Sequence, residues 1–302
     1  MKFEIQRFAD TDYLQDNLKG FVPNVLSDEI IGMTIRGSSI LRLSKVEEME
    51  SDNKTFSVMK RGVGAFWTKE AGRIKTSTPE WDFPEMKAEK IAVIIPVTKE
   101  KMNDATIDVF STLRPYIAEA FHEAIDSACL FGADSPFTNS IYGVANTSGQ
   151  KVTVGTNAKL DLDISDVMAG VEKAGFDCDG FVAGLDFKNQ LRKLRDADGN
   201  QLYVEGVGQK QLYSLPIEFN RANSWDSTKA LAIAGEWKYS VVGIRNELEY
   251  ETLTEATLHN ITMADGKPLS LAENDLIALK VTMRLGFTVV QPKAFAMLVP
   301  TP

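Results

Sequence analysis

Near its end the chain alternates strictly. Leu279, Val281, Met283, Leu285, Phe287 and Val289 are apolar, and Lys280, Thr282, Arg284, Gly286 and Thr288 between them are polar or small. A period of two sends successive side chains to opposite faces, so the pattern predicts a long strand with one face buried and one exposed. A different period governs an earlier segment. Ile107, Phe110, Leu113, Ile117, Phe121 and Ile125 recur three or four positions apart. That stripe predicts a long helix running to about Phe131, with Gly132 just past its end. Asp104 is placed to cap its start, and Pro115 predicts a kink or break near Arg114. The run Ile91 to Val97 predicts a buried strand ahead of this helix.

Between the long helix and the long strand, residues 141–275 alternate. Ile164 to Ala174 and Leu185 to Leu194 predict helices; Gly180 to Ala183, Leu231 to Ala234 and Tyr239 to Ile244 predict strands. Asp161 and Asp163 alternate with leucines and predict a strand edge or turn. Asp196 to Asn200 (DADGN) predicts a turn. The whole is a mixed α/β region inserted between two elongated elements.

Residues 51–90 differ from the rest. Phe56 and Val58 alternate with polar neighbours, Gly62, Gly64 and Gly72 follow, and then Pro79 and Pro84. This predicts a long hairpin with a flexible tip. Its charge is segregated: Lys60, Arg61, Lys69, Arg73 and Lys75 precede Glu80, Asp82 and Glu85, with Glu70 as the exception. Phe66, Trp67, Trp81 and Phe83 are interleaved. Aromatics on a hairpin without a core of its own predict packing against a partner, and segregated charge would set the register there. Residues 1–27 mix charged and apolar residues without a sustained period, and Pro23 interrupts them, so they predict an arm lying on another surface.

Composition narrows the function classes. The chain has 302 residues, 44% hydrophobic and 25% charged, and a net charge of -9. That is ordinary globular material with no basic face advertised for gripping phosphates. Cys129 and Cys178 form no CxxC pair and read as small core residues, not as a disulfide framework. No stretch approaches the roughly 20 apolar residues that span a bilayer, and the first ten residues lack a signal-peptide core. The expectation is a soluble product of the cytosol.

Candidate chemistry fails residue by residue. His122 and His259 are the only histidines. His122 stands on the predicted long helix, but a zinc-binding HExxH would need histidine where Asp126 stands. No GxSxG elbow or phosphate loop is present. Gly62 and Gly64 begin a GxG whose third glycine position holds Trp67, and Gly206 and Gly208 begin another that holds Gln211. Asp196, Asp198 and Asn200 have calcium-loop spacing, but the glycine sits at 199 and Val207 replaces the closing glutamate. The expectation is no catalytic residue, no metal and no cofactor.

The order of several segments carries a resemblance along nearly the whole chain. They are VPNVLSDEII (22–31), SSILRLSKVEEM (38–49), AFWTKEAGRIKTSTPEWD (65–82) and IAVIIPVTKEKMNDATIDV (91–109). IAEAFHEAIDSACLFG (117–132), LRKLRDADGNQLYV (191–204), YSLPIEF (213–219) and NDLIALKVTMRLGFTVVQPKAFAMLV (274–299) follow. Together they resemble the HK97-fold major capsid proteins of tailed phages. The resemblance implies an α+β fold with an N-terminal arm at 1–27 and an extended β-hairpin loop at 51–90. A peripheral domain with a long spine helix and long strand would combine 28–50, 91–140 and 276–302, and an axial α/β domain would cover 141–275. It implies self-assembly into pentamers and hexamers of an icosahedral shell around double-stranded DNA, built in the host cytoplasm. The acidic balance suits an inner wall that must not grip the packaged genome.

Some members carry a cleaved N-terminal scaffolding domain. Only residues 1–20 precede Phe21, so a separate scaffolding protein is expected here, alongside a portal protein and no membrane partner. Some members join subunits by lysine–asparagine isopeptide bonds; Lys60, Lys69 and Lys75 match none of these, and no crosslinking is expected. Intersubunit contacts are expected from Phe66, Trp67, Lys69, Arg73, Lys75, Trp81 and Phe83. The alternatives are an encapsulin-type compartment shell of the same fold, an α/β hydrolase with an unrecognised site, and a monomeric binding module.

Overall fold

A computed structural model describes residues 34–100 (35, 36, 62 and 71 apart), 109–195 (158 apart), 198, 211–263 (222 apart) and 266–301. The arm, Asp104, the second GxG and most of the Asp196–Asn200 turn lie outside the described residues; Asp198 sits in a turn.

The chain enters helix α1 (Ser39–Leu43), where Ser38 Oγ accepts the Leu41 N–H as an N-cap. Strand β1 (Lys45–Glu48) follows, then β2 (Asn53–Thr55), β3 (Val58–Arg61), β4 (Glu80–Asp82), β5 (Glu85–Lys87) and β6 (Glu89–Thr98). The long helix is α2 (Val109–Phe131). It ends where the glycine predicts: Gly132 has φ 66° and donates to the Ala128 carbonyl. The break expected near Arg114 is absent. Pro115 is exposed and forfeits one backbone donor, while buried Ile117, Ala118, Phe121 and Ile125 hold the next turns against the core.

Beyond α2 come α3 (Ile141–Thr147), β7 (Lys151–Thr153), α4 (Leu160–Lys173), β8 (Gly180–Gly184) and α5 (Phe187–Arg192). The chain continues through β9 (Gln211–Leu212), β10 (Leu215–Asn220), β11 (Ala232–Gly235), β12 (Ser240–Leu253), β13 (Thr257–Thr262), β14 (Pro268–Ser270), β15 (Leu276–Val289) and β16 (Phe295–Val299). Asp161 and Asp163 stand in the first turn of α4, not at a strand edge. The LDLD alternation mimics a strand, but Ile164, Val167 and Val171 form a buried helical stripe. A helix N-terminus also favours carboxylates. Asp163 is buried and accepts the Gly155 and Asn157 N–H groups, each at 2.8 Å.

Two compact units form. The larger comprises Thr34–Ile91, Glu119–Asn246 and Met283–Pro302. It holds a six-stranded mixed sheet ordered β7-β16-β11-β8-β10-β9. β8 pairs parallel with β10 and antiparallel with β11, and β16 pairs parallel with β7. Apolar side chains of α4 and α5 (Ile164, Val167, Val171, Phe187 and Leu191) pack with Phe181, Ile217 and Leu298 of the strands. Trp237 and Phe295 meet edge to face, with ring centroids 5.4 Å apart. Cys129 and Cys178 are free and buried, as expected for core residues.

The other unit includes Ala92–Ala118 and Glu247–Thr282. Within it β13 and β14 pair as an antiparallel hairpin, and Lys99 bridges Asp275 at 2.9 Å. Burial pushes the Tyr250 hydroxyl up to about 12, with Arg114 pulling the other way. Strands β6, β12 and β15 belong to a sheet ordered β1-β12-β15-β6, and each runs from one unit into the other along the backbone.

Two strand expectations change. β6 is not buried throughout: it ends that sheet order, and Lys90, Ala92 and Ile94 are exposed in alternation. The predicted inner face of β15 is buried, but the other face is covered too. Thr282 and Thr288 are buried, and Lys280 and Arg284 are half-buried because acidic partners, Glu251 and Asp52, accept from them. A strand flanked by neighbours on both sides has less solvent to face than alternation alone suggests.

One buried carboxylate ties the root of α1 to α2 and to the end of β10. Asp126 is 1% exposed. Its Oδ1 accepts from Ser38 Oγ at 2.5 Å and from the Ile40 N–H at 3.3 Å. Its Oδ2 accepts from the Ser39 N–H at 3.1 Å, Ser39 Oγ at 3.2 Å and Asn220 Nδ2 at 3.1 Å. Burial pushes this carboxyl above its ordinary range, against the pull of the Ser38, Ser39 and Ile40 hydrogen bonds. One turn back, the His122 ring packs on Gly37 so closely that a Cβ there would lie 2.5 Å from Cδ2. His122 is a packing residue.

Candidate functional site

The expected contact residues all stand on one projecting hairpin. Its proximal part pairs β2 with β5, with Asn53 opposite Lys87 and Thr55 opposite Glu85. Its distal part pairs β3 with β4, with Val58 opposite Asp82 and Met59 opposite Trp81. Between the two the ladder is interrupted. Phe56 N–H donates to the Pro84 carbonyl, but Pro84 has no N–H to return the bond, and the Phe83 N–H turns to Asp82 Oδ1.

Beyond β3 the chain leaves regular structure until Glu80. Ser77 Oγ accepts the Gly64 N–H at 2.7 Å, and Gly72 N–H donates to the Lys69 carbonyl at 2.8 Å. Among the described residues, large apolar side chains of this stretch stay uncovered. Trp67 is 106% exposed and Ile74 79%, while Val63, Phe66, Trp81 and Phe83 are each about half exposed or more. Lys69, Arg73 and Lys75 are exposed as well. Lys75 Nζ sits 5.4 Å from the Phe66 ring centre, a cation–π pair that presents aromatic surface and positive charge together. Trp67 directly follows Phe66, while Trp81, opposite Met59, and Phe83 lie on the returning side of the hairpin. Leaving so much large apolar side chain in water costs what its burial would release, roughly 25 cal/mol per Å². A surface of this kind stabilises an association.

The base of the hairpin is the opposite in character. Met86 is fully buried and packs with Met49, Ala88 and Val241. Its side chain occupies the space where Gly243 of β12 and Gly286 of β15 would each carry a Cβ. Asp52 receives Arg245 Nε at 3.3 Å and Arg284 Nη1 at 3.1 Å, and Arg245 Nη1 also donates to the Met49 carbonyl. These guanidinium groups hold the Asp52 carboxyl below its ordinary range, Arg245 most strongly. The Glu47 carboxylate accepts from Lys45 and Lys54, which lower it likewise.

Sequence reading found the exposed residues and missed the base. Arg245 stands 193 positions from Asp52, and no local period announces such a pair. The one available signal was a lone glycine inside each strand pattern, Gly243 and Gly286, which marks a close approach of other groups. Among the described residues no group of His, Cys, Asp and Glu could hold a metal ion, and no helix is long and apolar enough to cross a membrane.

The sequence pattern described as the phage capsid family matches residues 19–299, and the chain belongs to that family. It is 29% identical to the major capsid protein of Staphylococcus phage 80alpha, over 99% of this chain and 94% of that protein. It is 22% identical to a probable major capsid protein of Mycobacterium phage L5, over 78% of this chain and 76% of that protein. A solved structure from Microbacterium phage Oxtober96 superposes with a TM-score of 0.77 at 27% identity, covering 88% of this chain and 91% of that one. The capsid of an empty GTA particle shares the fold, with a TM-score of 0.67 at 19% identity over 88% of this chain and 90% of that one. The chain is a phage major capsid protein with an HK97-like fold, and its place is the capsid of the virion.

Proposed function

We propose that the hairpin at 51–90 is the extended loop through which one subunit grips its neighbours, with Phe66, Trp67, Lys69, Arg73, Lys75, Trp81 and Phe83 as contact residues. The observation that carries the reading is Trp67, an aromatic side chain wholly in water at the end of a hairpin whose base is fastened. Burying several such side chains against another copy offsets the entropy of association. The arm at 1–27 lies on a neighbour. Peripheral (28–50, 91–140, 276–302) and axial (141–275) domains arrange copies as pentamers and hexamers of a closed shell. A separate scaffolding protein and a portal protein guide its closure. The acidic chain meets the packaged DNA by proximity only, and no lysine of the loop forms an isopeptide bond. The role is structural, with no catalytic step.

The test is a chain lacking 63–79, compared with the full chain by negative-stain electron microscopy, with the expected scaffold coexpressed where the chain alone does not assemble. The reading expects shells from the full chain and folded, unassembled subunits from the deletion. Normal shells from the deletion variant overturn it.

A further inference from the structure

We infer that Asp52 and Met86 are positioning residues that lock the base of the hairpin to the body, so that its movement is confined to the break at Phe56–Ser57 and Phe83–Pro84. The inference rests on the loop reading above only for its consequence in assembly; the lock itself is a property of the single chain.

Three observations point to it. The first is a socket. On β12 and β15, Gly243 and Gly286 leave room that Met86 fills: a Cβ at 286 would lie 2.8 Å from Met86 Cγ and 2.9 Å from the Lys87 carbonyl oxygen. A Cβ at 243 would lie 2.5 Å from Met49 Sδ and would also strike Met86. A larger residue at 286 would meet the Lys87 backbone and push β5 away, whereas one at 243 would displace the Met86 and Met49 side chains from the socket. The second is the double ion pair of Asp52 with Arg245 and Arg284, reinforced by the Ala88 N–H bond to the Asp52 carbonyl at 2.8 Å. Residues 52 and 88 are thereby tied to each other and to two strands of the body.

The third observation is what happens one step further out. The pairing stops after Thr55–Glu85 and restarts at Val58–Asp82, with an irregularity between Met59 and Arg61. The Phe56–Pro84 bond is the backbone link the structure records across the gap. Outward of it β4 is exposed throughout, whereas inward Met86 and Ala88 are buried. Phe56 still packs against the Met49–Met86 cluster, so a ladder with a proline in the gap and only exposed strand beyond it bends just outward of that ring. A fixed base and a bendable distal ribbon let identical chains reach neighbours at different angles while each body keeps one shape.

Hydrogen–deuterium exchange on the unassembled full chain tests this. Amides of 53–56 and 85–88 should exchange at least about 100-fold more slowly than those of 58–61 and 80–82. Asp52→Asn, and separately Met86→Ala, should speed exchange at 53–56 and 85–88 by about tenfold or more and leave 58–82 unchanged. Equal protection on both sides of the break, or a base that does not respond to either variant, overturns the inference. Because the exchange is read before any shell forms, failure here leaves the contact reading intact. Normal assembly of the 63–79 deletion sinks the contact reading and leaves the lock standing.

Discussion

Ser38 Oγ lies 2.5 Å from Asp126 Oδ1, although 88 positions separate the two residues. The bond joins the cap of one helix to the C-terminal part of another inside the core. Asp126 also accepts the Ser39 and Ile40 backbone N–H groups. Removing the carboxylate leaves buried donors unpaired, at roughly 1–3 kcal/mol each. Asp126→Ala should therefore destabilise the chain by about 3 kcal/mol or more in denaturant unfolding, and Asp126→Asn by about half that. A loss under about 1 kcal/mol for the alanine variant would show that water replaces these bonds without cost.

Carboxyl groups shifted in opposite directions set the pH response. Asp126 is raised by burial, so the folded chain holds its proton to higher pH than the unfolded chain does. Its contribution to stability is full below the ordinary carboxylate value and falls as pH rises through the window above it. Asp52 and Glu47 are lowered by their cationic neighbours, so their contribution is full above that value and is lost as pH falls below it. Unfolding measured across pH should show a shallower acid decline in Asp52→Asn and a shallower decline above the ordinary range in Asp126→Asn. Unchanged slopes in both variants would refute this assignment.

Trp67 and Trp81 should matter to assembly and not to folding. Both are exposed, and exposed substitutions of this kind change stability by about 0.5 kcal/mol or less. The double variant Trp67→Ser with Trp81→Ser should unfold like the parent chain and yield far fewer shells by electron microscopy. A loss of stability alone would place these rings in the core of the single chain instead.

The cysteines should be silent until the chain unfolds. Burial holds the Cys178 thiol up at about 11 and raises that of Cys129 well above its ordinary value, so neither forms a thiolate near neutral pH. A thiol reagent added to the native chain should label neither residue within the lifetime of the fold, and both in denaturant. Rapid native labelling of Cys129 would mean that the last turn of the long helix opens.

Local period made the frame legible. The stripe from Ile117 to Ile125 and the alternation from Leu279 to Val289 each report one buried face, and the stop at Gly132 follows from backbone sterics alone. The aromatics of the hairpin were legible because nothing nearby in sequence could cover them. What stayed hidden depends on residues far apart. The start of α4 was lost because leucine and aspartate alternate there, the aspartates serving the charge of the first turn and the loop before it. The covered second face of β15 depends on carboxylates from distant segments, Asp52 and Glu251. The Asp126 cluster draws on Ser38 and Asn220, and no window of the sequence contains all three.

Pro79 and Pro84 bracket β4, and the consequence reaches beyond hinging. An uncovered, apolar hairpin is a template on which further chains could stack strand by strand into insoluble sheets. Each proline lacks a donor, so a recruited strand would find the ladder ended after Glu80 to Asp82 on either side. The acidic ends of that short strand repel an identical copy laid alongside. The same sequence that leaves the hairpin free to bend thus keeps crowded subunits from polymerising through it, and newly made chains can accumulate in a form still able to associate in the right way.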